Sequence, residues 1–391
     1  MSYPRQMRSF QPMYITLETF ETTAREFLRS SPSRSFQPSA VNFLPGPVAV
    51  RREVRRAFEQ APESHRADVF MKDFAAAQKT LTELVRARHV QLFLGSGTLA
   101  NDVIAGQISL LGERGVVLNN GEFGSRLVDH ARRFRLEFET VEAAWGKPIP
   151  LTEVRKALER SPKPGWLWCT HCETSTSVLN DLDQLKALCA EFETRLCLDC
   201  ISTIGTMPLD LTGVYLASGS SGKGLRSYPG ISMVFHHHDV APEPERLPRY
   251  LDLGYYARQQ GVPFTFSSNL LHALHAATKH VDWEKRFRDI VDLSAFLRQR
   301  LIELGFQLVG SDAVTSPAVV TIAVPPDGSS TQMAKSLQEA GYLISYNSEY
   351  LQKRNWVQIC LMGECTREKV VSLLNAIQRV VRRHGLQPAP A

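Results

Sequence analysis

Short apolar runs alternate with helical patterns over the first two thirds of this chain, and no other feature limits its fold as strongly. Each run is too short for a helix and is bounded by turn residues, as expected of buried strands. The runs span residues 90–94, 115–118, 165–170, 195–198, 213–217 and 231–235. Strands that alternate with helices build a mainly parallel, doubly wound sheet, because the crossover helices pack on both of its faces. We therefore predict a large α/β domain over residues 44–282.

The pattern changes after residue 282, where a smaller domain is predicted. A long helical pattern starts at Trp283 and is followed by a strand pattern at 318–324 and a helix at 331–340. Two more strands are expected near 343–346 and 357–361, and a last helix from Arg367. This order predicts an α+β domain over residues 283–391. Residues 1–43 are predicted to form a separate N-terminal arm with a short helix, since apolar residues recur there at helical spacing at Leu17, Phe20, Ala24, Phe27 and Leu28.

Composition limits the partners of the chain. Its 391 residues are 43% apolar, which is enough for a sizeable core. The net charge of +5 is small and its basic residues are interleaved with acids, so neither nucleic acid nor a membrane surface is predicted as a partner. No apolar run is long enough to span a membrane, and Met1–Gln6 does not begin a signal peptide. We expect a cytoplasmic enzyme that acts on small molecules.

Lys223 is the first candidate catalytic residue. It stands in a run of small residues at 217–224, directly after a predicted strand. Small residues let a bulky group approach the backbone closely. A lysine held in such a pocket can have its pKa lowered enough to act as a nucleophilic amine. The alternative is an ordinary surface lysine in a glycine- and serine-rich loop.

Two further features upstream of Lys223 indicate which cofactor it could serve. Asp199 ends a predicted parallel strand, where ligands of open α/β sheets bind. A buried carboxylate needs a cationic partner, and the protonated pyridine nitrogen of pyridoxal phosphate (PLP) is one. Residues 92–101 read as a strand, a Gly-Ser-Gly-Thr turn and a helix start, whose free N–H groups suit a phosphate. Together, a phosphate loop, an aspartate and a lysine in this order predict a PLP site.

These motifs resemble those of a fold-type I PLP enzyme of the class V aminotransferase group. The nearest likeness is to the alanine/serine–glyoxylate and the 2-aminoethylphosphonate–pyruvate aminotransferases. The resemblance runs in family order from about residue 43 to the C-terminus. It rests on Lys223 and on the stretches at 44–47, 95–98, 120–126, 171–176, 199–202, 263–265 and 362–364.

The resemblance implies a role for each matching residue. Lys223 would carry PLP as a Schiff base, and Asp199 would bind the pyridine nitrogen. Other cofactor contacts are implied for Ser96, Gly97, Thr98, Phe123, Thr174 and Ser202. For Phe123 and Thr174, simple packing is the alternative. Thr265 matches a phosphate contact from the other subunit, which implies a homodimer with a shared active site.

The chain departs from the family at the arginine that binds the substrate carboxylate. In the family this strand has the sequence Arg-Ile-Gly-x-x-Gly, whereas here Gln358 stands in the place of the arginine. A guanidinium makes two charge-assisted hydrogen bonds to a carboxylate, and a neutral amide supplies no charge. Arg354 and Arg226 are candidate replacements, with Lys353 and Arg51 nearby.

The sequence is therefore compatible with more than one function. The leading hypothesis is amino-group transfer from an amino acid or aminophosphonate-like donor to a small 2-oxo acid of the pyruvate or glyoxylate type. A PLP-dependent lyase or decarboxylase on the same scaffold would need no carboxylate arginine for a second half-reaction. A PLP-sensing regulator would need a fused DNA-binding or partner module, and the sequence shows no such pattern.

Two Cys-x-x-Cys pairs raise the alternative of a zinc site. Their spacing, at Cys169/Cys172 and Cys197/Cys200, is that of a zinc ribbon. Both pairs lie at the ends of apolar runs beside Thr174 and Asp199, so we interpret them as small buried residues near the cofactor. We expect no metal. The run 236–238 of three histidines is predicted to lie at a solvent-facing strand end.

Overall fold

The fold is taken from a computed structural model that describes residues 40–311 and 314–384. Its strands are β1 (Val41–Asn42), β2 (His89–Gly95), β3 (Gly115–Asn119), β4 (Phe138–Glu142), β5 (Trp166–Thr170), β6 (Cys172–Glu173), β7 (Val178–Leu179), β8 (Arg195–Asp199), β9 (Leu216–Ser220), β10 (Gly230–His236), β11 (Gln307–Leu308), β12 (Val319–Ala323), β13 (Tyr342–Leu343) and β14 (Trp356–Cys360). Its helices are α1 (Arg52–Phe58), α2 (Asp68–Val85), α3 (Gly97–Leu111), α4 (Glu122–Arg133), α5 (Leu151–Leu158), α6 (Leu182–Glu191), α7 (Leu253–Arg258), α8 (Ser268–Thr278), α9 (Trp283–Glu303), α10 (Ser330–Glu339), α11 (Glu349–Arg354) and α12 (Arg367–His384). The helix expected between residues 17 and 28 lies outside the described residues. None of the helices within them has the length and apolar character needed to cross a bilayer.

Seven of the strands form one central sheet, in the order β2-β10-β9-β8-β5-β3-β4. Its neighbouring strands are parallel except around β10, which runs antiparallel to both β2 and β9. Helices cover both faces, since separate apolar clusters lie on the two sides. The predicted mainly parallel, doubly wound α/β architecture is confirmed.

Strand β5 shows how the sequence builds both faces of the sheet. Successive side chains of a strand point to opposite faces. Trp166 and Trp168 accordingly pack with residues of α3 and α4 on one face. Leu167 and Cys169 pack with α2, α5 and α6 on the other. All four are fully buried, which is why the sequence here is continuously apolar rather than alternating.

In the central sheet, strands β9 and β4 depart most from the sequence prediction. Strand β9 begins at Leu216 rather than at Gly213, because Gly213 has a φ of +82° and the Val214 N–H closes a turn onto the Leu211 carbonyl. Strand β4 was not predicted. It is a half-buried edge strand of sequence Phe-Glu-Thr-Val-Glu, so it lacks the apolar run that identifies the central strands.

The C-terminal region packs around a second apolar cluster. An antiparallel sheet, β11-β12-β14, lies against α9, α10 and α12. The first described residues join this region: β1 pairs in parallel with β13, and Phe43 is fully buried in the same cluster. The predicted boundary of the N-terminal arm at residue 43 therefore needs correction, because Val41–Phe43 are part of the C-terminal layer.

The histidine run was also placed wrongly at its first residue. His236 is the last residue of β10 and is only 2% exposed, because it is paired between β2 and β9. Its Nδ1–H donates to the carbonyl of His238 at 2.8 Å. His171, which follows β5, is likewise buried, with its Nδ1 3.1 Å from the hydroxyl of Thr203.

These two buried histidines should make folding sensitive to mild acid. Burial lowers the pKa of His171 and of His236 to about 4 from the ordinary 6.5. Between these values the unfolded chain binds more protons than the folded one, so stability present above about pH 6.5 is lost as the pH falls towards 4. We expect the free energy of unfolding to fall by roughly 1–2 kcal/mol per histidine between about pH 7.5 and about pH 5. Urea unfolding at the two pH values measures this loss.

A variant of one buried histidine separates its share from other acid effects. His236→Gln should lose less stability on acidification than the parent, since its amide does not titrate. His280→Asn, at an exposed histidine, serves as the control and should match the parent. An equal acid loss in His236→Gln and in the parent would contradict the assignment.

Candidate active site

A cavity of about 680 Å³ opens where β8 ends and α3 begins. It brings together residues that lie far apart in sequence. Eight of the residues proposed from the sequence line it: Ser96, Gly97, Thr98, Phe123, Thr174, Asp199, Ser202 and Lys223.

Asp199 is the acidic group of the cavity. It ends β8 and is 8% exposed. Asn101 donates its amide to Oδ2 at 2.9 Å, and the Ile201 N–H donates to Oδ1 at 3.0 Å. Burial raises the pKa of Asp199, and these two hydrogen bonds and the charge of Lys223 oppose that rise. The carboxylate is thus fixed in orientation, and a cation placed against it would stabilise its charged form.

Lys223 lines the same cavity. The residue as a whole is half-buried. Burial of its amine lowers the pKa of Lys223, whereas the nearby Asp199 raises it. A lowered pKa leaves a larger fraction of the amine neutral and nucleophilic at neutral pH. The surroundings of Lys223 therefore favour reaction of its amine, and those of Asp199 favour binding of a cation.

The backbone beneath Lys223 is held by Arg286 of α9. Its guanidinium donates to the carbonyls of Gly205, Gly224 and Met362 at 2.8, 3.1 and 2.7 Å. The two glycines are required there: Gly205 has a φ of +75°, and a Cβ on Gly224 would lie 2.3 Å from the carbonyl oxygen of Ile204. The sequence gives no signal for this contact, because Arg286 is one of many charged residues on a long helix.

The first turn of α3 provides a site for an anion. Ser96 is the N-cap residue, and Gly97 and Thr98 begin the helix. N–H groups of a first helical turn lack acceptors within the helix and carry the positive end of its dipole. Because all three residues line the cavity, a phosphate could bind them there.

Glu173 fixes the position of Phe123, and sequence reasoning missed this role. Glu173 is fully buried in β6 and accepts from the N–H groups of Phe123 at 3.1 Å and Gly124 at 2.9 Å. It also accepts from the N–H of Ser175 at 3.1 Å. Burial raises the pKa of Glu173, and its hydrogen bonds oppose that rise. A remote carboxylate thus caps the N-terminus of α4 and sets where the Phe123 ring lies.

Two hydroxyls meet on one side of the cavity. Thr174 donates its hydroxyl to that of Ser202 at 2.6 Å, and both side chains are buried. Thr265, by contrast, is exposed and does not line the cavity of its own chain among the described residues.

The structure does not bring Gln358 into the cavity lining. Its side chain is fully buried, and Nε2 donates to the carbonyls of Thr174 at 2.6 Å and Ser175 at 3.2 Å and to the hydroxyl of Thr321 at 2.9 Å. Tyr350 donates its hydroxyl to Oε1 at 3.3 Å. The Gln358 amide is thus used inside the protein, where it ties β14 to the loop after β6.

Arg354 and Arg226 also lie outside the described lining of this cavity. The guanidinium of Arg354 stacks over the ring of Trp145 at 3.4 Å. Arg226 is 8% exposed and forms an ion pair with Glu364. The arginine that does line the cavity is Arg126, which the sequence analysis noted only as the last residue of a family motif.

The four cysteines of the Cys-x-x-Cys pairs are buried free thiols. Burial raises the pKa of Cys172, which lines the cavity, to about 12. Over residues 40–311 and 314–384, no three or more histidine, cysteine or acidic side chains are grouped so as to hold a metal ion.

The lysine, the oriented carboxylate and the helix N-terminus all face one cavity. The residues fit the three parts of that cofactor: an amine for its aldehyde, a carboxylate for its ring nitrogen and N–H groups for its phosphate. Comparison with known proteins agrees. Residues 58–345 match the family Aminotransferase class-V. The chain therefore belongs to the class-V aminotransferases and is a PLP-dependent transferase, which confirms the resemblance seen in the sequence.

Individual relatives cover most of the chain. The soluble hydrogenase small subunit of Synechococcus sp. is 30% identical over 372 residues, 89% of this chain and 94% of the relative. The 2-aminoethylphosphonate–pyruvate transaminase of Aeromonas hydrophila is 26% identical over 87% of this chain and 95% of its own length. A solved alanine–glyoxylate aminotransferase from Nostoc sp. superposes with a TM-score of 0.82 at 25% identity, covering 91% of this chain and 98% of that one.

Replacing Glu173 tests its capping role. Glu173→Gln should lower the free energy of unfolding by about 1–3 kcal/mol. The NH2 group of the new amide is a donor, and it would replace an oxygen that accepts from the N–H donors of α4. PLP should also bind less tightly, since Phe123 loses its backbone anchor. Thermal unfolding and cofactor titration measure the two effects. Glu153→Gln, at an exposed first-turn glutamate of α5, is the matched control; equal behaviour of the two variants would contradict the role.

Proposed function

We propose that this enzyme transfers an amino group from an amino acid or aminophosphonate-like donor to a small 2-oxo acid of the pyruvate or glyoxylate type. The observation that carries the proposal is that Lys223, Asp199 and the N-terminus of α3 face one cavity. Two relatives support the substrate class by their names, one a 2-aminoethylphosphonate–pyruvate transaminase and one an alanine–glyoxylate aminotransferase.

Six residues of the cavity have a role in this reaction. Bound PLP supplies an electron sink for negative charge at the α-carbon of the donor. Asp199 keeps a proton on the ring nitrogen, which strengthens that sink. Lys223 Nζ accepts the proton that leaves the α-carbon and can return it, because its lowered pKa suits proton transfer near neutral pH. Phe123, which lines the cavity, would pack on the ring, and Ser96, Gly97 and Thr98 would bind the phosphate.

Covalent trapping tests the assignment of Lys223. Borohydride reduction followed by peptide mass mapping should find the reduced cofactor on Lys223, and Lys223→Ala should lose this label and essentially all turnover. Lys163→Ala, at an exposed lysine, should retain both. A label at another lysine would show that the assignment is wrong.

A donor screen tests the reaction itself. Under the proposal, adding 2-aminoethylphosphonate or L-alanine without an acceptor should convert the bound cofactor to pyridoxamine phosphate, seen as a change in its absorbance. Adding pyruvate or glyoxylate should reverse the change. Release of carbon dioxide or a leaving group without that conversion would instead indicate the lyase or decarboxylase alternative.

We further propose a cytoplasmic homodimer in which Thr265 contacts the phosphate of the partner's site. The exposed position of Thr265, away from the cavity of its own chain, supports a role in a second subunit. The free thiols among the buried cysteines support a reducing compartment.

Mixing two inactive variants tests the shared site. Lys223→Ala and Thr265→Glu should each be inactive, the second because a carboxylate would repel the phosphate. In a mixed dimer, one site then carries both changes and the other carries neither. Co-expressed one to one, the pair should recover roughly a quarter of the parent activity. No recovery would mean that Thr265 acts within its own chain or not at all.

A further inference from the structure

We propose that Arg126 binds the anionic group of the substrate, a carboxylate or a phosphonate, and so selects the substrate class in place of residue 358. This inference rests on the proposed transfer of an amino group. It assigns the charge recognition that Gln358 cannot supply, because an amide carries no net charge.

The position of Arg126 suits this role. It lies in the first turns of α4 and lines the same cavity as Lys223. Its charge is close enough to act on Lys223: after burial, it is among the causes that lower the pKa of the lysine. A donor whose amino group reacts near Lys223 would therefore place its anionic group near Arg126.

The orientation of the guanidinium leaves one edge for a ligand. Glu122 accepts from Nε at 3.0 Å and from Nη2 at 2.9 Å through the same carboxylate oxygen. The guanidinium carbon lies 4.9 Å from the centre of the Phe123 ring. These contacts use one edge and one face of the group, and the Nη1–Nη2 edge is of the kind that carboxylates and phosphonates bind in bidentate fashion.

Three other arginines have partners elsewhere in the structure. Arg226 pairs with Glu364, and Arg354 stacks on Trp145. Arg286 is held by three backbone carbonyls beneath Lys223. Arg126 keeps about half of its side chain exposed, so a substrate can reach it without breaking a buried contact.

The position of Arg126 is also set by the framework of the site. Glu173 caps the N-terminus of α4 through Phe123 and Gly124, which fixes the helical turn that carries Arg126. A cation on a fixed helix can discriminate between donors by the distance between their amino and anionic groups.

Anion binding to the holoenzyme is the decisive experiment, because bound PLP already fills the phosphate site at α3. Titration calorimetry with propylphosphonate and with propionate measures the two chemistries separately, and propionamide is the neutral comparison. Arg126→Gln should weaken binding of at least one anion about ten- to hundredfold, and Arg126→Lys should restore part of it. Propionamide binding should not change between the variants.

Arg133→Gln is the matched control. Arg133 lies on the same helix, pairs with Asp129 four residues earlier as Arg126 does with Glu122, and does not line the cavity among the described residues. It should bind both anions as the parent does. Equal loss in Arg133→Gln, unchanged binding in Arg126→Gln, or no measurable binding of either anion to the parent would each overturn the proposal.

Kinetics then connects the anion site to turnover. For donors that carry the anion, Arg126→Gln should lower kcat/KM about ten- to hundredfold, mainly through KM. Failure of every donor to convert the cofactor, together with weakened anion binding in Arg126→Gln, would reject the proposed transfer while leaving the anion site standing. Normal transfer kinetics with every anionic donor in Arg126→Gln would reject the anion site alone.

Discussion

The buried carboxylate of Asp199 is the constraint around which the site is arranged. It lies at the end of a parallel strand, held by Asn101 and by the N–H of Ile201. Burial raises its pKa, and an ionised carboxylate in such a place needs a cation beside it. A protonated pyridine ring would meet that need, and Lys223 and the N-terminus of α3 line the same cavity. The proposed roles of Lys223 and of the N-terminus of α3 thus depend on a cofactor whose cationic ring pairs with this one buried carboxylate.

A second buried carboxylate supports the first site from outside the cavity. Glu173 has no cationic partner among the described residues and is stabilised by N–H groups at the start of α4. These N–H groups have no acceptors within the helix, so their hydrogen bonds to the carboxylate satisfy both partners. This arrangement joins β6 to α4, so Phe123 and Arg126 are positioned by a residue that is not in the described lining of the cavity.

Gln358, which stands where the family resemblance implies an arginine, has a structural role. A neutral amide can be buried when its hydrogen bonds are satisfied, and Gln358 finds acceptors in Thr174, Ser175 and Thr321. These bonds tie the strand of the C-terminal sheet to the loop beside the cofactor site. If Arg126 binds the substrate anion as proposed, charge recognition lies on the helix that also carries Phe123, and β14 is free to serve as a packing element.

The sequence by itself determined the doubly wound sheet and the order of phosphate loop, aspartate and lysine. Both follow from local patterns, since periodicity reports burial and ligands of such sheets bind at strand ends. It missed β4 because an edge strand carries no continuous apolar run, and it misplaced His236 because pairing with two neighbouring strands is not visible locally. Only the tertiary structure decided which cations face the cavity. Arg126, Arg226 and Arg354 are equally charged in sequence, but their surroundings depend on partners as distant as Glu364, which lies 138 residues from Arg226. Electrostatic contacts act through space, so their specificity is fixed only when the chain is folded.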